Sequence, residues 1–458
     1  MITLLFAGFV LAVLWWLVVR RRAAALAAFF LLFSLITRVF ALVYVDLAGP
    51  VYAVELGDDV GGGGSSMPLF ALSVLAFLLP LAWVFRPAAL QAWRAAPRSS
   101  DQRRALATAV VWTLVVFLLA LYGDMVTRGP IPIFAGIDRL EYNRVLAGPL
   151  HPLVFDFGFL FAVVLGIGLV HPRLRGGEFD FRFLALYGAF MLYFALTGNR
   201  FSAFYSFSSF ALMPMAALPM ANGLGMLPAA PHGRSAFARL LCSRAALALG
   251  VMALLLSLAA LLINNLVTVR EYEDPAEQFA QRSLIQPVQL WWTTWQSLGS
   301  ASETSQGWQD AFINPIDPTR NTSIQVLMIK NLGDDRAAEL LDNGQQYAGG
   351  YPEILFELFG PGLAMMAALL FGFITAFLLR LVVGSVLLGR FVTAFVAAYV
   401  FYGFSLLYIG GMLNFLIVWT FWVKCAALLA LYLFGRWRSA PAQVLIAHQA
   451  RPQNLPSP

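Results

Sequence analysis

Charge, cysteine and histidine are all scarce in this chain of 458 residues: 12% are charged, two are cysteine and four are histidine. Cys242 and Cys425 stand far apart in the sequence, which leaves no framework for disulfides or a cysteine-held metal cluster. There is no Gly-x-x-x-x-Gly-Lys-Ser/Thr phosphate loop, no His-Glu-x-x-His metal motif and no Gly-x-Ser-x-Gly elbow. Nucleotide hydrolysis, zinc-protease chemistry and serine-hydrolase chemistry therefore lack their usual carriers. Neither a metal nor another cofactor is expected. The space is filled by apolar residues, 60% of the chain, giving a mean hydropathy of +0.75. A soluble domain does not carry such a composition. The net charge of +6 does not point to nucleic acid, because the basic residues gather at the ends of apolar runs, where they orient spans.

Runs of the length needed to cross a bilayer predict an all-α polytopic membrane protein with about 11 spans, near 2–19, 23–45, 67–85, 105–122, 151–170, 183–197, 201–221, 246–266, 358–379, 391–409 and 412–434. The first run lacks a basic leader and ends at Arg20-Arg21-Arg22, so it is expected to be retained as a helix. Alternate short loops hold 19 of the 30 basic residues, which places those loops in the cytoplasm, with the N-terminus outside and the C-terminus inside. The resulting organisation is spans one to eight over 1–266, a large outer loop over 267–350, spans nine to eleven over 351–438, and a disordered cytoplasmic tail over 439–458. Within the large loop, 275–295 and 322–341 read as helices, which predicts a small helical cap on the membrane.

Arginine on the outer side serves no topological purpose, so it needs another one. Arg128, Arg139 and Arg144 surround Gly129-Pro130-Ile131-Pro132, a run that regular helix cannot accommodate. It is expected to form an interfacial or re-entrant loop. Arg200 sits in a turn of about three residues, and Arg320 lies in the large loop. Guanidinium groups offer paired donors to phosphate oxygens, which suits them to a lipid diphosphate. The plainer alternative is surface ion pairing, for instance of Arg139 and Arg144 with Glu141. Candidate bases are Glu353, which shares a helical face with Glu357 before the break at Gly360-Pro361-Gly362, and His151, with Asp156 further in. Trp291, Trp292, Trp295, Trp308, Tyr347 and Tyr351 offer faces for sugar rings, although any membrane boundary also collects such residues. Inside the spans, Arg38 and Lys424 count as functional candidates by their depth; Arg38 could instead snorkel to Asp46.

Taken together, GPIPIFAGIDRLEYNR, the turn LTGNRFSAF, one long outer loop late in the chain and GGYPEILFELFGPG leading back into the membrane resemble the bacterial oligosaccharide repeat-unit polymerases, the Wzy-type O-antigen polymerases. The resemblance implies a metal-free, GT-C-like glycosyltransferase of the bacterial inner membrane. It would transfer a growing glycan from undecaprenyl pyrophosphate to the non-reducing end of a new lipid-linked unit at the periplasmic face. Its implied partners are that lipid-linked oligosaccharide, membrane lipid and a chain-length-regulating membrane protein. The candidate set is then Glu353, Arg200 and His151 for catalysis, and Arg128, Arg139, Arg144, Arg320, Tyr142, Tyr351 and Arg38 for substrate binding. A related ligase would carry a histidine in its long outer loop, and 267–350 has none. A flippase for the same lipid is the competing class, and a membrane scaffold the third.

Overall fold

In hydrocarbon a peptide group finds no water, so each apolar run must close its own ladder of hydrogen bonds and becomes a helix. The computed structural model, which describes residues 1–86, 103–137, 141–199, 201–227, 277, 280–298, 323–342 and 349–449, is an all-α membrane protein with one small hairpin. Among the described residues, eight helices are long and apolar enough to cross a membrane, and Phe181–Leu196 and Trp419–Phe434 are apolar but shorter. The run at 246–266 lies outside the described residues.

The chain opens with α1 (Ile2–Arg20), then α2 (Arg22–Ala27) and α3 (Phe29–Ala48), so the second run is interrupted at Ala28 rather than continuous from residue 23. After α3 the acidic, glycine-rich stretch forms a hairpin of β1 (Val51–Ala53) and β2 (Asp58–Val60), antiparallel with Val51 opposite Val60. Next come α4 (Met67–Val84), α5 (Arg103–Arg128), the single turn α6 (Pro132–Ala135), a π-helical turn at Tyr142–Leu146 and α7 (His151–Leu174). The order continues with α8 (Phe181–Leu196), α9 (Phe201–Met215) and α10 (Ala217–Gly223). The large loop contributes α11 (Gln289–Ser297), α12 (Ser323–Leu332) and α13 (Asp334–Asp342). The chain closes with α14 (Glu353–Leu387), α15 (Phe391–Gly410) and α16 (Trp419–Gln449), the last running past Gln443 into the stretch expected to be disordered. Gly360 breaks α14 with φ 68° and ψ 170°, where Pro361 removes a donor.

Within the bundle, α7 packs along α9, and α14 lies between α4 and α15. The α4–α14 contact depends on small residues: a Cβ at Gly372 would fall 2.5 Å from the Ala76 carbonyl oxygen. The two ends of the bundle are distinguishable. At one, His171 stacks edge-on against Phe391, 4.8 Å between ring centres. At the other, the starts of α7, α14 and α16 and the ends of α3 and α15 converge beside the large loop.

On the arginine-rich end, α8 starts at Asp180, whose carboxylate accepts from the Arg182 backbone N–H at 3.2 Å and from its guanidinium at 2.8 and 2.7 Å. The hydrogen bond from Arg182 holds the Asp180 carboxyl below its ordinary value. A carboxyl held low stabilises the fold above its unfolded pKa and loses that contribution as pH falls through the depressed one. Asp180→Ala is expected to destabilise the purified protein by about 1 kcal/mol at neutral pH, with the difference from the unaltered chain shrinking below about pH 4. A denaturation series across pH measures this.

Candidate functional site

One guanidinium ties the large loop to the bundle. Arg38, in α3, is 2% exposed. Its Nε donates to the Pro287 carbonyl at 2.7 Å, its Nη1 donates to the Tyr351 carbonyl, and its Nη2 donates to Glu353 Oε1. Below it lies the Phe70 ring, 5.2 Å from the guanidinium carbon. Residue 287 precedes α11, and residues 351 and 353 lead into α14. A single side chain from the second apolar run thus holds both ends of the segment 287–351. Asp46 takes no part, since it accepts from Thr3 at 3.0 Å, Ser65 at 3.1 Å and Ser66 at 3.4 Å. The alternative in which Arg38 snorkels to Asp46 is not the one found: the carboxylate of Glu353, on a segment distant in sequence, satisfies it.

Glu353 is wholly enclosed, and its Oε2 has no hydrogen-bond partner among the described residues. A carboxylate held by a guanidinium and sealed from solvent is poorly placed to receive a proton from an incoming hydroxyl. Tyr351 is likewise enclosed; its hydroxyl donates to the Ser73 carbonyl at 2.7 Å and its ring lies 4.6 Å from that of Tyr408. It presents no face to a sugar in this arrangement. Trp291 and Trp292 are also buried, Trp291 against Phe70 and Phe356, which makes them core rather than a sugar platform.

Glu353 and Glu357 share a helical face but not a partner. Glu357 accepts from Lys330 Nζ at 2.7 Å and from the Thr294 hydroxyl at 3.2 Å, which joins α12 and α11 to α14. The other end of the loop is held by the hairpin. Gln281 donates to the Tyr52 carbonyl at 2.6 Å, and Gln286 and Gln289 each donate to Glu55 at 2.7 Å. Burial pushes the Glu55 carboxyl up, against the pull of Gln289 and Arg282. Because Lys330 is half exposed, its ion pair is screened by water. Lys330→Ala is expected to change unfolding free energy by less than about 1 kcal/mol, measured by chemical denaturation in detergent.

A second cluster lies at the same end of the bundle. His151, at the start of α7, is 4% exposed, and both ring nitrogens are engaged. Nδ1 lies 2.8 Å from the Tyr193 hydroxyl and Nε2 2.8 Å from Asn143 Oδ1. With the amide oxygen facing the ring, Nε2–H donates to Asn143 and the Tyr193 hydroxyl donates to Nδ1. Tyr142 is buried edge-on against the imidazole at 5.2 Å. Around this cluster the surface alternates charge and hydrocarbon. Arg128 is 47% exposed and donates to Asp124 at 2.7 Å. Arg144 is exposed and has no hydrogen-bond or ion-pair partner among the described residues. Ile133, Phe134 and Val145 are exposed too, Phe134 by 79%. Arg139, Arg200 and Arg320 lie outside the described residues. No group of three or more histidine, cysteine or carboxylate side chains that could hold a metal occurs among the described residues.

Residues 317–425 match the model of a family of unknown function, DUF6418. No curated protein and no solved structure matches the chain. The matched stretch spans α12 to the first part of α16 and so contains Lys330, Tyr351, Glu353 and Glu357. Arg38 lies outside it.

Proposed function

We propose that the chain is a glycosyltransferase that polymerises lipid-linked oligosaccharide repeat units, passing the growing glycan from undecaprenyl pyrophosphate to the non-reducing end of a new lipid-linked unit. The observation that carries this reading is the surface beside His151, where exposed Arg128 and Arg144 stand among exposed Ile133, Phe134 and Val145. Apolar side chains at a membrane boundary enter the acyl region while neighbouring guanidiniums stay at the headgroups. That combination suits a lipid whose head is a diphosphate. In the reaction the acceptor hydroxyl attacks the anomeric carbon as the bond to the diphosphate breaks, and the guanidiniums neutralise the charge left on the leaving group. The base is Glu353 or His151: Glu353 is held by Arg38 and His151 by Tyr193 and Asn143, so either must give up a partner before it takes the proton. The reading is of a GT-C-like enzyme of the inner membrane, with the large loop periplasmic, the N-terminus periplasmic and the C-terminus cytoplasmic. A chain-length-regulating membrane protein is the partner it calls for.

The test is reconstitution in nanodiscs with a repeat unit on undecaprenyl pyrophosphate, followed on a gel as chain length against time. A ladder formed without nucleotide or ion gradient is expected. Arg144→Ala is expected to slow it by about a hundredfold with stability unchanged. Movement of the lipid across a vesicle membrane without any ladder would show a flippase instead.

A further inference from the structure

Among the described residues, two opposite charges stand without an ion pair inside the membrane-spanning part of the molecule. Asp156 is the sixth residue of α7 and Lys424 the sixth of α16, and both helices start at the end that carries the large loop. Five steps of 1.5 Å put each about 7.5 Å below its helix start, well inside a hydrocarbon layer of about 30 Å. Between them lies α15. Lys424 Nζ rests 3.9 Å from the centre of the Tyr399 ring. Phe157 meets Tyr399 edge-on at 6.4 Å, Phe159 stacks on Tyr402 at 3.9 Å, and Tyr402 lies within electrostatic reach of Asp156. Asp156 is exposed and Lys424 partly so; among the described residues neither makes an ion pair. Their flanks, Phe155, Trp419 and Trp422, are exposed by 57%, 73% and 56%, as expected of a wall that faces lipid.

A carboxylate and an amine left in contact with hydrocarbon are costly, and a fold keeps them where something polar arrives. A proton relay needs a chain of titratable groups. Here a cation waits on an aromatic face and an anion waits on the far side of the same aromatic floor. We infer that the aromatic face of α15 between Asp156 and Lys424 is a lateral site for the phosphate-bearing head of a lipid-linked sugar, which slides in from the bilayer, its phosphate against Lys424 and its first sugar hydroxyls against Asp156. This rests on the reading above for the sugar, and on Lys424 and its aromatic floor alone for the phosphate. On leaving Tyr399, Lys424 exchanges a cation–π contact for a charge-assisted hydrogen bond. Asp156 accepts from hydroxyls, as a carboxylate does.

The experiment measures lipid binding by native mass spectrometry of the full chain in nanodiscs, with undecaprenyl diphosphate, its oligosaccharide-bearing form and phosphatidylglycerol as probes. Lys424→Gln is expected to weaken undecaprenyl diphosphate at least tenfold and to leave phosphatidylglycerol unchanged, while Lys424→Arg keeps binding. Asp156→Asn is expected to weaken only the glycosylated lipid, by several-fold. A photoreactive undecaprenyl diphosphate gives the same answer without a variant, by labelling peptides 151–160 and 419–430 of the unaltered chain. Binding that ignores Lys424, equal loss of phosphatidylglycerol, labelling confined to other peptides, or a dimer broken by Lys424→Gln with lipid binding kept would each overturn the site. If Lys424-dependent binding appears but no ladder forms from lipid-linked units, the polymerase reading fails and the phosphate site stands. A ladder with Lys424-independent binding decides the opposite way.

Discussion

Replacing Arg38 with alanine is expected to destabilise the protein by about 3–5 kcal/mol, because it leaves the enclosed Glu353 without a counter-charge. Against a typical total of about 5–15 kcal/mol, that is enough to deplete folded protein. Two carbonyls, at Pro287 and Tyr351, lose their donor at the same time. Arg38→Lys is expected to fall between the extremes, since one ammonium on a flexible stem does not match the fixed fork that reaches three acceptors. Joint replacement, Arg38→Met with Glu353→Leu, is expected to recover most of the stability, as apolar substitutes for a buried pair often do. It would not restore the carbonyl contacts, so the segment 287–351 would become more sensitive to protease. Monodisperse yield, denaturation midpoint and limited proteolysis read these effects. An Arg38→Ala protein with the original midpoint would mean that the contacts of the guanidinium do not hold the loop.

Gly350→Ala is the other large effect. Gly350 sits at φ +125°, a backbone region that side chains rarely occupy, and an added Cβ would lie 2.4 Å from the Gly411 Cα and 2.5 Å from its nitrogen. Backbone cannot turn aside as a flexible side chain can. The conformational strain is worth about 1–3 kcal/mol and the forced separation another 1–3 kcal/mol or so. The end of α15 would be pushed from the start of α14, carrying Tyr351 and Glu353 away from Arg38. Gly362→Ala serves as the control, since a Cβ there meets nothing within 4 Å; its midpoint is expected to stay close to that of the unaltered chain. Equal midpoints for the two variants would show that the Gly350–Gly411 contact yields without cost.

Much of the architecture was legible because it depends on local rules. Apolar run length predicts helices; among the described residues eight are long enough to cross a membrane, the expected spans at 183–197 and 412–434 are shorter helices, and at Ala28 one expected span is two helices. The break at Gly360-Pro361 could be read from two residues. The hairpin at 51–60 could not, because its strands are three residues each and its sequence is dominated by glycine and acid. Around the site, local reasoning put Glu353 and Glu357 on one helical face and was silent on what each would meet. Arg38 and Glu353 are 315 positions apart, and no spacing rule connects them. Depth alone singled out Arg38, while the nearest acidic residue in sequence, Asp46, proved to belong to three hydroxyls. The tryptophans at 291 and 292 look like boundary residues by type and are core by position. One signal could have been weighed more heavily. Arginine and glutamate in a chain this poor in charge are each expensive, and expensive residues tend to be found together.

The separation of 315 residues also has a consequence for how the molecule is made. At ribosomal rates of about 5–20 residues per second, Glu353 emerges some tens of seconds after Arg38. Throughout that interval the nascent chain carries a guanidinium at membrane depth with neither its carboxylate nor its two carbonyls yet synthesised. The bundle is therefore not finished in the order in which it is inserted. Its second apolar run reaches its final surroundings only when the start of the last quarter of the polypeptide has arrived, and until then the unfinished protein remains exposed to membrane quality control.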